Sequence, residues 1–458
     1  MASSQAERIQ ALFSFVAQDI RYMGIIAESE APGYEPHDVG ETFAARHGVC
    51  RDKAALLVAM LRAAGCEAYP TLIHSGPRKD AEVPQPYFNH AIVAVRNGDD
   101  YLLMDPTDET TKELLPSYLD DRSYLVARPE GETLRTSPTD PAEDNLMQIT
   151  TSGHLDADGR LSAETRLVFA GINDNVYRRY FAQIQPEERR RLLEGAVKAA
   201  VPNARVLEAE LAPANMLDVG TGLSARIVYE ADDLLIRGDA LALVPLPTLG
   251  TRLGMINFIL GQTGLRERRF PFRTDVACGV REHLALTLDG ALNLPVALPV
   301  NEPIDRDGMV WSQTVQQSGQ TLTADGTFML EQVEYTPAQY QVLKSTLVEI
   351  ERAQRKMPVY QFSTPAANRL AGDSDVLSES EDVDYEYLPG GTWRETRTVQ
   401  KRVLTYAGKK RHAELAVRFN PAYYGSGAHA PNEHIRVADI PKAIEFNTFQ
   451  FMELGKSH

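Results

Sequence analysis

The chain has 458 residues, and its 47 Lys and Arg against 63 Asp and Glu give a net charge of −16 at pH 7. A length of this order predicts about two to three domains. The negative charge disfavours nucleic acid and anionic membrane surfaces as partners. An odd set of 3 cysteines also excludes a disulfide framework. We therefore expect a soluble multidomain protein whose domains are held together by apolar cores.

The first predicted element is an amphipathic helix near the N-terminus. Ser4 and Glu7 have the spacing of a capping box. An apolar stripe at helical spacing follows, formed by Ile9, Leu12, Phe13, Val16 and Ile20. This pattern predicts a helix that packs one face against the first domain.

Residues 50–64 predict a second helix, with a cysteine on its first turn. Most of them are good helix formers, and Gly65 supplies a stop. One face is formed by Cys50, Ala54, Leu57, Leu61 and Ala64. The thiol of Cys50 would then lie among unpaired N–H groups at the positive end of the helix dipole, which favours thiolate and can hold an oxyanion. The alternative interpretation is a small buried core residue.

A β-hairpin is predicted next, because two strand-like runs, residues 90–96 and 101–105, flank Asn97-Gly98. A two-residue turn places His90 directly opposite Asp105, with Cβ atoms about 5 Å apart. A four-residue turn, residues 97–100, makes them diagonal neighbours on the same face. In either register the carboxylate reaches the imidazole, whereas an odd slip would separate them.

Together these residues predict thiol chemistry. A carboxylate that holds one ring nitrogen of His90 fixes its tautomer and leaves the other nitrogen free for the thiol of Cys50. Cysteine, histidine and aspartate would then act as nucleophile, base and orienting group. The alternative for His90 and Asp105 is a surface cross-strand pair that contributes little.

Residues 6–128 resemble the transglutaminase-like core, a papain-related fold. The resemblance is carried by residues 48–54, 61–65, 68–70, 88–90 and 105–107. More narrowly, the chain resembles bacterial multidomain proteins in which domains of unknown function flank this core. The resemblance implies a Cys–His–Asp triad of Cys50, His90 and Asp105, and chemistry on amides through a thioester.

The resemblance draws attention to two accessory residues, Tyr22 and Asn89. Tyr22 lies near a position that lines the cleft or assists the oxyanion in the family, although we favour a packed core tyrosine. Asn89 either shapes the cleft or forms the turn that enters the strand. Asp52 and Lys53 belong to the matched run and are expected to be structural.

The remaining chemistry-bearing residues predict no second site. Cys66 and Cys278 have no base nearby in the sequence, and we interpret them as packing residues. No Cys/His set has zinc-ligand spacing and no phosphate-binding Gly-Lys-Ser/Thr loop occurs, so we expect neither a metal nor a cofactor. The start shows no signal peptide and no apolar run spans a bilayer, which predicts a soluble protein. A periplasmic or extracellular location stays open if a leader is missing.

After the first domain, residues 1–128, the pattern changes. Residues 129–145 predict a linker, and residues 146–360 predict a β-rich α+β domain with sandwich-like, antiparallel sheet. The predicted turns include residues 156–159 and 324–326, and the predicted helices are residues 186–200 and 337–355. The class is therefore α+β.

The C-terminal part is predicted in two pieces. Residues 361–390 are acidic and serine-rich, which indicates a flexible linker. Residues 391–458 predict a β-rich segment that resembles the start of the domain that usually precedes the core in this family. That order indicates a rearranged chain, a tandem array or a swapped assembly.

Two functions follow as hypotheses. The first is a transglutaminase-like acyltransferase, peptidase or deamidase that acts on a protein or peptide and passes the acyl group to water or to an amine. The second is a protein- or glycan-binding assembly protein that keeps the fold without turnover. An intact triad favours the first, because a binding module has no need of a matched base. Compartment and homo-oligomeric state stay open.

Overall fold

The structure is a computed structural model that describes residues 4–23, 35–76, 88–238, 241–292, 294–361, 376–388 and 392–403. The described residues fall into an N-terminal part up to residue 136, a larger β-rich part from residue 146, and a C-terminal hairpin.

The N-terminal part packs helices against one antiparallel sheet. Its helices are α1 (Gln5–Asp19), α2 (Val39–Ala45) and α3 (Cys50–Ala63). Its strands are β1 (Arg21–Tyr22), β2 (His47–Gly48), β3 (Ala68–Ile73), β4 (His90–Asn97), β5 (Asp100–Met104), β6 (Ser123–Val126) and β7 (Arg135–Thr136). β1 and β2 form a small parallel pair, and the other strands form an antiparallel sheet in the order β5-β4-β3-β6-β7.

α3 lies between α1 and the sheet. This packing on two sides holds the N-terminal end of α3 in place. α1 begins with the predicted capping box, since Ser4 Oγ accepts from the Glu7 N–H and the Glu7 carboxylate accepts from the Ser4 N–H. After α3, Gly65 adopts a φ of +84°, as a stop at that position requires. The core between α1, α3 and the sheet includes Phe13, Val16, Leu57, Leu61 and Val93.

The prediction of a linker at residues 129–145 is wrong, because many of these residues pack against the rest of the protein. β7 pairs with β6 and so extends the first sheet to Thr136. Ser137, Ala142 and Asn145 are buried, and Asn145 contacts both parts, since its Oδ1 accepts from Ser117 Oγ at 3.2 Å and its Nδ2 donates to the Ala277 carbonyl oxygen at 3.0 Å. Composition indicated a linker because Pro, Ser, Thr and Asp are common in loops of both kinds, free and packed.

The β-rich part is built on one eight-stranded sheet. Its helices are α4 (Ile172–Gln183), α5 (Pro186–Ala200), α6 (Met255–Leu260) and α7 (Pro337–Gln354). Its strands are β8 (Leu146–Leu155), β9 (Leu161–Phe169), β10 (Ala204–Ala212), β11 (Ser224–Ala231), β12 (Ile236–Arg237), β13 (Leu241–Leu243), β14 (Phe272–Arg273), β15 (Cys278–Leu288), β16 (Pro295–Ala297), β17 (Ile304–Arg306), β18 (Met309–Ser318), β19 (Thr321–Leu330), β20 (Glu334–Tyr335) and β21 (Val359–Gln361). The eight-stranded sheet has the order β10-β11-β9-β8-β15-β19-β18-β17, and a four-stranded sheet has the order β12-β13-β21-β16.

The α+β class with a β-rich second part is confirmed. The two sheets share one core, in which Ala242 and Tyr360 of the small sheet join Ile149 and Leu284 of the large one. The predicted helix at residues 186–200 is confirmed in full, and α7 begins after the Thr336 cap and ends at Gln354.

Two details of the sheet differ from the expectation. β8 and β15 pair in parallel, with Ile149 opposite Glu282, in a sheet predicted to be antiparallel. The predicted turn at residues 324–326 lies inside β19, where Gly326 pairs with Glu282 on one side and Gln313 on the other. A glycine within a strand gives a turn-like sequence signal although its neighbours hold it extended.

Part of the acidic segment, residues 376–388, is a strand where a flexible linker was predicted, and residues 362–375 and 389–391 lie outside the described residues. β22 (Val376–Leu388) pairs antiparallel with β23 (Thr392–Val403). Its sequence alternates Val383, Tyr385 and Tyr387 with acidic residues, and this period-two pattern outweighs the charge density. Residues 404–458, the remainder of the predicted C-terminal segment, lie outside the described residues.

Candidate active site

Cys50 is the first residue of α3 and is partly buried. The N–H of Val49, which caps the helix in an extended conformation, donates to Asp52 Oδ2 at 2.9 Å. Gly48 permits this close approach, since a Cβ there would lie 2.7 Å from the Asp52 Cβ. The residues around the cysteine therefore fix where the helix begins.

His90 begins β4, and Asp105 directly follows β5. The strands pair with Val93 opposite Met104 and Asn97 opposite Asp100, which is the register of the four-residue turn. His90 and Asp105 are therefore diagonal neighbours, and His90 Nε2 lies 2.9 Å from Asp105 Oδ2. The diagonal alternative of the two predicted registers is the one observed.

The Asp105 carboxylate is fully buried and both of its oxygens are occupied. Oδ1 accepts from the Thr107 N–H at 3.0 Å and from Thr107 Oγ1 at 2.7 Å. Oδ2 is left for His90. Because Asp105 holds Nε2, the other ring nitrogen of His90 is the one available to the sulfur of Cys50.

The thiol and the imidazole interact and shift each other's pKa. Burial disfavours the thiolate, but the hydrogen bond and charge of His90, with the backbone N–H groups of Ala91 and Arg51, lower the pKa of Cys50 below its usual value. Burial lowers the pKa of His90, but hydrogen bonds and charges from Asp105 and Cys50 raise it to about 10. The arrangement favours a thiolate beside an imidazolium.

One comparison with known proteins, that with family models, agrees with the resemblance noted in the sequence. Residues 1–106 match the family model of the transglutaminase-like superfamily. The match covers the N-terminal 106 of the 458 residues. The transglutaminase-like superfamily is in general one of thiol-dependent enzymes.

A crystal structure from Parabacteroides distasonis, described as a candidate protease, is similar to this chain with 13% identity and a TM-score of 0.46. The alignment covers 79% of this chain and 53% of that one, so the chain spans about half the length of that protein. None of the curated proteins matches the chain.

Tyr22 lies at the edge of the candidate site and is exposed, so the preference for a packed core tyrosine is wrong. β1 pairs with β2, which places Tyr22 beside Gly48 and close to Cys50. The side chain is 44% exposed. Partial burial and the negative charges of Cys50 and Asp105 raise the pKa of Tyr22, so its hydroxyl stays protonated. β1 and β2 have two residues each, so their sequence pattern is too short to predict which side faces solvent.

Asn89 makes contacts expected of a residue at a strand entry, and its role in shaping the cleft stays a prediction. Its Oδ1 accepts from the Ser75 N–H at 2.9 Å and from Ser75 Oγ at 3.1 Å, and the residue is exposed. It thus joins the end of β3 to the start of β4, immediately before His90.

Asp52 and Lys53 of the matched run are buried, in agreement with a structural role. Asp52 Oδ1 accepts from the His37 N–H at 3.0 Å and lies 3.1 Å from His37 Nδ1. Lys53 Nζ donates to the carbonyl oxygens of Ala17 at 3.1 Å and Ile20 at 2.5 Å, at the end of α1. The contact of His37 with Asp52 was not predicted, because nothing in the sequence around His37 distinguishes it from other histidines.

Asp108 is a further buried carboxylate close to Asp105 that was not predicted from the sequence. The segment Asp105-Pro106-Thr107-Asp108-Glu109-Thr110 repeats an Asp followed two residues later by a Thr, and both Asp residues accept from that Thr. This repeat is a signal from which Asp108 could have been found.

Other groups add no second centre within the described residues. Cys66 and Cys278 are buried, and burial raises the pKa of Cys278 to about 12. In the same part of the chain no group of three or more His, Cys, Asp or Glu could hold a metal ion. Among the described helices, none is long and apolar enough to cross a membrane.

Proposed function

We propose that this chain is a thiol-dependent acyl-transfer enzyme in which Cys50 is the nucleophile, His90 the acid and base, and Asp105 the orienting carboxylate. The observation that carries the proposal is the 2.9 Å contact between His90 Nε2 and the fully buried Asp105 Oδ2, with Cys50 hydrogen-bonded to the same imidazole. A surface cross-strand pair would not bury the carboxylate or supply a cysteine at a helix start.

In the first step, the Cys50 thiolate attacks the carbonyl carbon of an amide in a protein or peptide. The carbon–nitrogen bond breaks as the tetrahedral intermediate collapses, and the imidazolium of His90 gives its proton to the leaving amine or ammonia. A thioester at Cys50 and a neutral His90 result.

In the second step, neutral His90 takes a proton from the acceptor as the acceptor attacks the thioester carbon. Water as acceptor yields a carboxylic acid, which is proteolysis or deamidation, and an amine yields a new amide. The carbon–sulfur bond breaks, and thiolate and imidazolium are restored.

The oxyanion formed in both steps needs donors near Cys50. We assign this role to the N–H at the start of α3 and to the Tyr22 hydroxyl. The helix dipole places positive potential at that end of α3. The raised pKa of Tyr22 keeps the hydroxyl proton in place to be donated.

Alkylation tests the proposal without knowledge of the substrate. The folded protein is treated with iodoacetamide across pH, and the labelling of each cysteine is followed by peptide mass spectrometry. We expect Cys50 to react faster than free cysteine at near-neutral pH, while the buried Cys66 and Cys278 serve as internal references. A Cys50 no more reactive than free cysteine would overturn the proposal in favour of a binding protein.

A second experiment addresses turnover. The protein is incubated with mixtures of glutamine-containing peptides and primary amines, and acyl adducts at Cys50, released ammonia and new amides are measured. Folded Cys50→Ala should lose every activity that the wild-type protein shows. Activity that persists in this variant would remove Cys50 from the mechanism.

A further inference from the structure

The turn that carries Asp105 is a short closed segment, here called the aspartate turn (residues 105–114). Its ends meet, because the Asp105 N–H donates to the Leu114 carbonyl oxygen at 2.7 Å. Asp108 repeats the pattern of Asp105, since its Oδ1 accepts from the Thr110 N–H at 2.9 Å and from Thr110 Oγ1 at 2.6 Å. These bonds organise the turn internally and leave Asp108 Oδ2 for an outside partner.

That partner comes from the β-rich part. Asn175, on the first turns of α4, donates from Nδ2 to Asp108 Oδ2 at 2.8 Å. Asn175 is 4% exposed and Asp108 is 8% exposed. A hydrogen bond to a charged acceptor is stronger than one between two neutral groups. Loss of the Asn175 donor would therefore be costly, because the buried Asp108 Oδ2 cannot bond to water in its place.

The start of α4 is itself firmly placed. The Ile172 N–H donates to Asn145 Oδ1 at 2.7 Å, and Asn173 Nδ2 donates to the Asn145 carbonyl oxygen at 2.7 Å. Gly171 adopts a φ of +52°, and a Cβ there would lie 2.2 Å from Asn145 Oδ1. α4 therefore offers a rigid support to the aspartate turn.

The turn has a second contact on the same side. The hydroxyl of Tyr118 is hydrogen-bonded to Asp108, and burial together with the charges of Asp105 and Asp108 raises the pKa of Tyr118. Tyr118 follows the turn along the chain, so it belongs to the N-terminal part. Asn175, in contrast, brings a hydrogen bond from the β-rich part directly to Asp108.

We propose that Asn175 is a positioning residue, which holds the aspartate turn through Asp108 and so keeps Asp105 on His90, and that the β-rich part thereby supports the chemistry of the transglutaminase-like segment. This inference rests on the proposed function, since it concerns the orientation of the Cys50–His90 pair. A displacement of about 1 Å at a reacting group costs on the order of 100-fold in rate, so a small shift of the turn is sufficient to be measured.

The test compares Asn175→Ala with the exchanged pair Asp108→Asn, Asn175→Asp in the full chain. In the exchanged pair, the amide at position 108 can donate to the carboxylate at position 175, and its oxygen can still accept from Thr110. The readout is the iodoacetamide rate of Cys50 against pH, because a merely structural role would not move the pH profile of a folded protein.

We expect Asn175→Ala to lower the alkylation rate near neutral pH about tenfold and to move its pH profile, because a loosened Asp105 stabilises the imidazolium of His90 less. The exchanged pair should return the rate to within about threefold of the wild-type value. The control is Asn257→Ala on α6, which loses two hydrogen bonds within the β-rich part, to the carbonyl oxygens of Gly250 and Leu253, and should keep the wild-type profile.

The outcomes separate the two proposals. A wild-type Cys50 without enhanced reactivity overturns the proposed function and the inference with it. A reactive wild-type Cys50 whose profile is unchanged in folded Asn175→Ala overturns the inference alone, as does a folded exchanged pair that restores nothing. If Asn175→Ala fails to fold, Asn175→Ser and the exchanged pair take its place under the same criteria.

Discussion

The Lys53 ammonium donates to the carbonyl oxygen of Ile20 at 2.5 Å, which ties the helix that begins at Cys50 to the residue that precedes β1. Lys53 is fully buried, and this desolvation lowers its pKa to about 8 although Glu109, Asp105 and Asp108 favour the charged form. Tyr22 follows on β1, so one buried cation joins two elements of the candidate site.

Lys53→Met should destabilise the protein by about 2 kcal/mol, because it leaves the Ala17 and Ile20 carbonyl oxygens without their buried donor. Urea unfolding measures this change. Lys344→Met is the matched control, since Lys344 also donates to a backbone carbonyl, that of Leu265 at 2.7 Å, but in a hydrogen bond that is exposed to solvent. A control that loses as much stability as Lys53→Met would contradict the assigned role of burial.

His90 should make stability depend on pH. Its pKa in the folded protein, about 10, exceeds its ordinary value of 6.5, even though burial acts in the opposite direction. The stabilisation of the folded state by protonated His90 is therefore complete below pH 6.5 and is lost as the pH rises towards 10. The wild-type protein should have a larger free energy of unfolding than His90→Gln. This difference should be largest near pH 6.5 and should decrease as the pH rises towards 10. A gap that widens with pH would contradict the raised pKa.

Asp105→Asn should reduce turnover by about 10²- to 10⁴-fold while the fold is kept, because an amide neither fixes the ring tautomer nor stabilises the imidazolium. The alkylation rate of Cys50 at neutral pH reports the same loss without a substrate. Asp325→Asn is the control, since Asp325 contacts His283 at 2.7 Å in an exposed pair of the β-rich part. Equal effects from the two variants would argue against a special role for Asp105.

Gly48→Ala should impair Cys50 reactivity and stability together. Its new methyl group would lie 2.7 Å from the Asp52 Cβ and 3.3 Å from Thr42 Cγ2, so the start of α3 must shift. Gly195→Ala on α5 meets nothing within 4 Å and should be neutral or stabilising by up to about 1 kcal/mol. Thermal unfolding and alkylation of both variants test this contrast, and a Gly48→Ala protein identical to wild type would refute it.

Tyr22→Phe should lower turnover by about 10-fold or more with little change in stability, because it removes a hydroxyl donor from a half-exposed side chain. Alkylation of Cys50 should change little, since no oxyanion forms in that reaction. Tyr180→Phe, a tyrosine 47% exposed on α4, provides the control. Equal turnover in wild type and Tyr22→Phe would remove Tyr22 from the oxyanion site.

The local sequence was sufficient to predict the helix that starts at Cys50, the capping box of α1 and the hairpin that brings His90 to Asp105. These features depend on residues within a few positions of one another, such as Ser4 with Glu7 or the turn at residues 97–100. Hydrogen bonds and periodicity at that range act before any tertiary contact, so the pattern alone determines them.

Features that join distant residues were decided only by the tertiary structure. Asn175 meets Asp108 across 67 positions, β8 pairs in parallel with β15, and β1 reaches β2 to set Tyr22 at the edge of the site. Lys53 gives no sign in its sequence neighbourhood that its ammonium is buried against Ile20. The physical reason is that packing chooses among many long-range partners of similar local propensity, and a one-dimensional pattern carries no information about which of them will be adjacent.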